Sequence, residues 1–226
     1  METRYLMRGE SCLDNRDKIP SEAEFDAVKD ERFSPQIYEK LKRAKVAIAG
    51  LGGLGSHIAV MLARSGVGHL HLVDFDIVDL SNLNRQVYTV GELGMPKTEA
   101  LKRILLKINP YINVSYEKIK VNNENVKQIF EGFKIVCEAF DNPGAKAMLI
   151  SELLSRDAET IIVSGSGMAG YGDANEIKTE KRFSRLYVCG DGKSDAFEGI
   201  GLMAPRVMIC AGHQANMVVR IILGEE

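Results

Sequence analysis

The stretch KVAIAGLGGLGS, residues 45–56, indicates the fold of this 226-residue chain. Its first part, KVAIAG, is a short apolar run of the kind found in strands that are buried on both faces of a parallel sheet. Ser56 then opens a segment with apolar residues at helical spacing. Glycines between a buried strand and a helix start let backbone N–H groups approach a phosphate at the positive helix end. We therefore expect a phosphate-binding loop made by Gly50, Gly52, Gly53 and Gly55.

Strand and helix patterns alternate along most of the remaining chain. The predicted strands are 45–50, 69–75, 113–120, 134–140 and 160–167. The predicted helices are 36–44, 56–65, 97–108, 123–132, 145–156 and 204–223. This alternation predicts an α/β fold, a Rossmann-like, mainly parallel sheet flanked by helices. Two short alternating stretches after Gly167 favour an antiparallel C-terminal extension of the sheet.

Composition narrows the class of protein. Lys and Arg total 29 against 31 Asp and Glu, so a net charge of −2 gives no reason to expect nucleic acid or an anionic membrane as a partner. No apolar run reaches the roughly 18 residues of a membrane span, and the N-terminus lacks the apolar core of a secretory signal. We expect a cytoplasmic protein with a polar arm or short helical layer at 1–30 and a single domain at 31–226.

The four cysteines are scattered, with no CxxC pair. This spacing argues against a structural zinc site and against a disulfide framework. Cys137 and Cys210 lie in apolar runs and are expected in the core. Cys12 and Cys189 have more polar neighbours, which would allow them to be exposed.

The segment DFDIVDLSNLNRQ, residues 74–86, is unusually polar for the end of a strand. Asp74 lies 24 residues beyond Gly50, where a carboxylate can hold a ribose hydroxyl. A dinucleotide enzyme needs only that carboxylate, whereas chemistry on phosphate also needs cations and a carboxylate for Mg²⁺. Arg85 and Lys97 supply the cations, and Asp141 ends a strand at the carboxyl edge where such ligands bind. These residues predict a nucleotidyl-transfer site that uses ATP and Mg²⁺.

Four blocks together resemble a known family: GLGGLGS (50–56), DFDIVDLSNLNRQ (74–86), MPK (95–97) and EAFDN (138–142). Their order and spacing are similar to those of the ThiF/MoeB-type adenylyltransferases, which activate ubiquitin-like proteins. The resemblance runs from about Arg32 to Leu223. Within it, 168–179 and 203–223 look like the short, zinc-free ThiF branch, which activates the carrier ThiS for thiamine biosynthesis.

The resemblance implies a reaction, partners and roles for individual residues. A small ubiquitin-like sulfur carrier would present its C-terminal Gly-Gly carboxylate to Mg-ATP, an acyl-adenylate would form, and pyrophosphate would leave before sulfur transfer. A homodimer is also implied. The residue roles carried over are Gly53 in the phosphate loop, Asp74 on the ribose, Asp76 and Asn82 on the nucleotide, Arg85 and Lys97 on the triphosphate, and Asp141 as the metal-linked carboxylate. No general base is needed, because the attacking carboxylate is already ionised near neutral pH.

The sequence departs from the family pattern at two points, and alternatives stay open. Many relatives carry an arginine finger before the first strand, where this chain has Pro35. No cysteine matches the one that links some ThiF proteins to their carrier, which leaves Cys189 as the candidate. The alternatives are activation of a molybdopterin-synthase carrier, a tRNA threonylcarbamoyladenosine dehydratase, a non-catalytic scaffold, and an NAD-dependent oxidoreductase suggested by the glycine loop alone.

Overall fold

A seven-stranded sheet forms the centre of the computed structural model, which describes residues 19–156, 159–195, 199 and 201–226. The strands are β1 Lys45–Ala49, β2 His69–Asp74, β3 Asn113–Lys118, β4 Ile135–Glu138, β5 Ile161–Gly165, β6 Lys178–Phe183 and β7 Leu186–Gly190. Their spatial order is β3-β2-β1-β4-β5-β7-β6, and every neighbouring pair is parallel except β6 with β7. The predicted Rossmann-like sheet with an antiparallel extension is confirmed.

Helices cover the sheet and connect its strands. They are α1 Glu22–Phe33, α2 Pro35–Arg43, α3 Gly53–Ser65, α4 Lys97–Ile108, α5 Val126–Ile129, α6 Pro143–Arg156 and α7 Ala204–Leu223. Short 3₁₀ turns lie at Leu80–Asn82, Val90–Glu92 and Ala174–Glu176. The prediction of a helix over 123–132 was wrong in length. The Asn122 side chain accepts the amides of Glu124 and Asn125 at 2.9 and 3.0 Å, and residues 123–125 form a turn that precedes the short helix.

The N-terminal helices add a layer beside the sheet. Ser21 and Glu24 form a reciprocal capping box at the start of α1. The backbone then turns at Ser34, which has φ of 76°, directly before Pro35 opens α2. Because α1 runs from Glu22 to Phe33, it crosses the expected boundary between residues 30 and 31. The division into 1–30 and 31–226 stays a prediction, and residues 1–18 lie outside the described part of the chain.

The alternation of side chains along β1 explains why the sheet is buried on both faces. Val46 and Ile48 point into one apolar cluster, which contains side chains of α3, α4 and α7. Ala47 and Ala49 point into the other, which contains side chains of α5 and α6. With both faces covered, the loops at the carboxyl edge of the sheet rest on a rigid base.

Cysteine burial agrees only in part with the sequence-based expectation. Cys137 and Cys210 are buried in the core, as predicted. Cys189 is fully buried too, although its polar neighbours in the sequence would have allowed exposure. It lies on β7, which is covered by α7, whereas the sequence suggested a polar surrounding. Cys12 lies outside the described residues. Over the part of the chain that the structure describes, no helix has both the length and the apolar character required to cross a bilayer.

Candidate functional site

The glycine loop between β1 and α3 is shaped by two glycines that have no room for a side chain. Gly50 has φ of +90°, and its amide donates to the Val73 carbonyl at 2.9 Å. A β-carbon at Gly50 would lie 2.7 Å from the Ala139 carbonyl oxygen, and one at Gly55 would lie only 1.8 Å from the Gly50 oxygen. These two positions require glycine because backbone atoms meet there.

Gly52 has a different surrounding. It stands at the N-cap of α3, where no side chain caps the helix. A β-carbon there would first meet Gln86 Nε2, at 3.7 Å. The first amides of α3 therefore lack a side-chain acceptor and carry the positive end of the helix dipole. An anion such as phosphate suits that position.

Asp74, at the end of β2, ties the glycine loop to the second strand. The carboxylate is 8% exposed and accepts the Leu51 amide at 2.6 Å and the Asp76 amide at 2.8 Å. Burial raises the pKa of Asp74, while the two amides and the nearby Lys97 oppose that rise. The ribose contact stays a prediction, and the structure adds a second role, support of the loop, that the sequence did not indicate.

Asp76 and Lys97, both predicted nucleotide residues, form an ion pair. Lys97 is the first residue of α4 and is 6% exposed, and its ammonium donates to Asp76 Oδ2 at 2.9 Å. Its backbone amide also donates to the Asp76 carbonyl at 3.0 Å. A cation at a helix N-terminus is unfavourable, and Asp76 offsets this. Asp76 thus holds the Lys97 ammonium in place. The contact of Lys97 with the triphosphate stays a prediction, and it would be made by the ammonium protons that Asp76 does not accept.

The segment between Asp76 and Lys97 contains a 3₁₀ turn that is stabilised by side-chain caps. Asp79 caps the 3₁₀ turn, and its carboxylate accepts the Ser81 amide at 2.9 Å. Asn82 completes the capping box by accepting the Asp79 amide at 3.1 Å through Oδ1. Asp79 and Ser81 therefore act as turn and capping residues. Asn82 shares this structural role, and its contact with the nucleotide stays a prediction.

Arg85 lies against the glycine loop without a carboxylate partner. Its Nη1 donates to the Ser81 carbonyl at 3.0 Å and to Asn84 Oδ1 at 2.8 Å. A β-carbon at Gly53 would lie 3.7 Å from Arg85 Cγ, so the side chain runs alongside the loop. Among the described residues, the buried Nε has no hydrogen-bond partner, and no Asp or Glu forms an ion pair with this guanidinium. A half-buried cation of this kind is stabilised by an anion, which a nucleotide would bring.

Two residues that follow Arg85 escaped the sequence reasoning. Gln86 is buried beside Gly52, and its Oε1 has no hydrogen-bond partner in the part of the chain that the structure describes. Tyr88 is also buried, and its hydroxyl donates to the Leu51 carbonyl at 2.9 Å. The available signal was position alone, since Gln86 ends the polar segment 74–86 and Tyr88 lies two residues beyond it. Gln86 Oε1 is therefore available to a ligand at the phosphate loop, whereas the Tyr88 hydroxyl supports the loop through its bond to Leu51.

Asp141 follows β4 at the same edge of the sheet. Asn142, rather than Asp141, caps α6: its Oδ1 accepts the Ala145 amide at 2.9 Å. Asp141 is exposed, and no described residue forms a hydrogen bond or ion pair with it. One free carboxylate beside a phosphate loop fits Mg²⁺, which proteins commonly hold through one or two carboxylates and the substrate phosphates. The described residues contain no group of three His, Cys, Asp or Glu side chains that could hold a metal alone.

Cys189 is a poor nucleophile in this structure. Its Sγ lies 3.4 Å from Thr179 Oγ1, and burial raises the pKa of the thiol to about 11. Because the thiolate is the reactive form, a buried thiol of high pKa has little reactivity near neutral pH.

Comparison with known proteins places these features in a family. A sequence model described as the ThiF family matches residues 26–226. UBA4 of Debaryomyces hansenii, an adenylyltransferase and sulfurtransferase, is 38% identical over 154 residues, which is 68% of this chain and 32% of the relative. The molybdopterin-synthase adenylyltransferase of Haemophilus influenzae is 48% identical over 105 residues, 46% of this chain and 43% of the relative. The chain thus spans less than half the length of these two relatives.

Solved structures agree with the fold. The E. coli tRNA N6-threonylcarbamoyladenosine dehydratase TcdA, in complex with ATP, has a TM-score of 0.81 at 20% identity and covers 92% of this chain and 98% of its own. E. coli MccB with AMPCPP and MccA has a TM-score of 0.65 at 30% identity, covering 84% of this chain and 59% of its own. With a family match over most of its length, the chain belongs to the ThiF family.

Proposed function

We propose that this protein adenylates the C-terminal carboxylate of a small ubiquitin-like carrier protein with a Gly-Gly tail, using ATP. The observation that carries the proposal is Arg85: a positive group lies beside the glycine loop with no carboxylate partner in the described part of the chain. The dinucleotide alternative needs a ribose-binding carboxylate and leaves Arg85 without a purpose. A triphosphate gives it one.

The proposed chemistry needs alignment and charge neutralisation more than proton transfer. A carrier carboxylate oxygen forms a bond to the α-phosphorus, and the bond from that phosphorus to the β-phosphate bridging oxygen breaks with release of pyrophosphate. The N-terminal amides of α3 hold the phosphates, and Arg85 opposes their charge. A magnesium ion, held by Asp141 together with the phosphates, would supply further neutralisation. Arg85, Lys97 and Asp141 are the proposed catalytic residues.

The carrier of the thiamine branch is the specific substrate that we propose. Its support is the resemblance of 168–179 and 203–223 to the short ThiF branch. The relatives named for molybdopterin synthase and UBA4 make other sulfur carriers the competing substrates. Sulfur transfer is assigned to a separate donor, because Cys189 is buried and its thiol pKa is raised.

An ATP–pyrophosphate exchange assay tests the proposal. Each Gly-Gly-tailed carrier from the same genome is added in turn, and exchange that depends on one of them is the expected result. Arg85→Ala and Asp141→Ala should each abolish exchange. Arg43→Ala is the matched control, since Arg43 is an exposed arginine at the end of α2, before the amino end of β1. Absence of exchange with every carrier, or normal exchange by Arg85→Ala, would contradict the proposed function.

The homodimer implied by the resemblance is part of this proposal. Its support is the exposure of three apolar side chains between β2 and α4, where Ile77, Leu80 and Val90 are 53%, 69% and 74% exposed. Exposed large apolar side chains gain from burial against a partner. Sedimentation of the wild-type protein and a Val90→Asp variant tests the point: a dimer that Val90→Asp weakens is expected, and a wild-type monomer would contradict it.

A further inference from the structure

We propose that Glu138 is a positioning residue that holds the turn bearing Asp141 through a buried cluster with Lys146 and Ser164. The test of this role by pyrophosphate exchange rests on the proposed function, whereas the test by hydrogen exchange of the Phe140 amide does not. Glu138 is the last residue of β4 and is 0% exposed. A buried carboxylate is costly unless nearby donors compensate it. Its donors therefore identify what it holds in place.

Every donor of Glu138 belongs to a different part of the carboxyl edge. Oε1 accepts the Phe140 amide at 2.8 Å, and Oε2 accepts the Ser164 hydroxyl at 2.5 Å. The Lys146 ammonium also bonds Oε2. Ser164 lies on β5 directly opposite Glu138, and Lys146 lies on α6. One carboxylate thus joins β4, β5 and α6 to the turn that follows β4.

The link from this cluster to Asp141 is short. Phe140, whose amide Glu138 holds, is the residue immediately before Asp141, and Asn142, which caps α6, is the residue immediately after it. The Ala139 amide is tied to the Ala49 carbonyl at 2.8 Å. Because no described residue bonds the Asp141 carboxylate itself, its position comes from the backbone on either side. Glu138 supplies the hold on the amino-terminal side.

The perturbation that isolates this role is Glu138→Gln, which keeps the size of the side chain. One carboxylate oxygen becomes an NH₂ group, and the remaining oxygen is drawn to the Lys146 ammonium and the Ser164 hydroxyl. The NH₂ group then faces the Phe140 amide and cannot accept its hydrogen bond. Loss of a supporting partner of a metal ligand typically costs about 10- to 100-fold in metal affinity or activity. We expect a weakening of that size in Mn²⁺ affinity, measured by electron paramagnetic resonance in the presence of AMPCPP. We also expect faster hydrogen exchange of the Phe140 amide, measured without any nucleotide.

A double-mutant cycle separates positioning from a general loss of stability. If Glu138 acts through Asp141, Glu138→Gln should cause little further loss of Mn²⁺ affinity or exchange activity in an Asp141→Asn background. Asp26→Asn is the matched control, because Asp26 also bonds a lysine and a hydroxyl, from Lys42 and Tyr38 at 2.7 Å each. It lies on α1, near the opposite end of the strands, and should lower stability with no change in Mn²⁺ affinity.

The outcomes that overturn the proposal are distinct from failure of the proposed function. Additive losses in the double mutant, or an unchanged rate of hydrogen exchange at Phe140 in Glu138→Gln, would overturn it. If the wild-type protein shows no pyrophosphate exchange, the proposed function fails, and the Phe140 measurement still decides the positioning role. Should Glu138→Gln not fold, Ser164→Ala removes one of the three donors and is expected to weaken Mn²⁺ binding by roughly three- to tenfold. Wild-type affinity in Ser164→Ala would then overturn the proposal.

Discussion

Replacement of Gly55 by alanine tests whether the glycine loop is shaped by packing. The added β-carbon would lie 1.8 Å from the Gly50 carbonyl oxygen, and real β-carbons essentially never come closer than 3.0 Å. The backbone must therefore move by about 1.2 Å, the difference between these two distances. Gly50 resists that shift, because its amide is bonded to the Val73 carbonyl and Ala139 lies behind it.

The expected cost follows from overpacking in other proteins. Forcing extra atoms into a packed site costs about 1–3 kcal/mol. For a chain of this length each kcal/mol lowers the melting temperature by about 2–4 °C, so Gly55→Ala should lower it by about 2–12 °C. The shift also displaces the first amides of α3, so AMPCPP affinity should fall as well. Circular dichroism on heating and isothermal titration calorimetry measure the two effects.

Gly52→Ala is the control, because a β-carbon at that position meets nothing closer than 3.7 Å. Its melting temperature should stay within about 2 °C of wild type, since a change without steric conflict costs little. Its AMPCPP affinity should fall, because the methyl group projects toward the expected phosphate position at the α3 N-terminus. A wild-type melting temperature and affinity for Gly55→Ala would refute the reasoning, as would an equal loss of stability in both variants.

Three further predictions follow from individual side chains. Asp141→Asn should lower pyrophosphate exchange by at least about tenfold while the urea midpoint stays unchanged, because Asp141 has no partner among the described residues; a lowered midpoint would contradict this. Iodoacetamide at pH 8 should leave Cys189 unmodified in the folded protein, as followed by mass spectrometry, since burial raises its pKa to about 11; rapid labelling would show that the site opens. Burial alone would raise the pKa of Asp191, but hydrogen bonds from two backbone amides and from Arg206 outweigh burial and hold the pKa below the ordinary 3.8. The stability that the Asp191 carboxylate adds is therefore present above pH 3.8 and is lost as the pH falls below that value. Asp191→Asn should therefore flatten the fall of unfolding free energy between about pH 5 and about pH 3, and an unchanged slope would contradict it.

Much of the fold could be predicted because its signals are local. The bounds of α4 and α7 agree with the prediction, and β1 and β2 agree to within one residue. Apolar periodicity and punctuation by Gly and Pro depend on near neighbours in the chain, so they can be read without knowing the tertiary structure. The helix over 123–132 was predicted too long, because residues 123–125 form a turn held by side-chain bonds of Asn122 and Asn125, which periodicity does not reveal.

The candidate site, like the fold, could be predicted from the sequence only in part. The sequence by itself determined which residue types gather at the carboxyl edge, since parallel strands bring their ends together. Only the tertiary structure decided what each side chain contacts: Lys97 pairs with Asp76, 21 residues away, and Glu138 with Ser164, 26 residues away. It also decided that Cys189 is buried beneath α7. Burial and the choice of partner depend on contacts between distant segments, and composition around one residue does not report them.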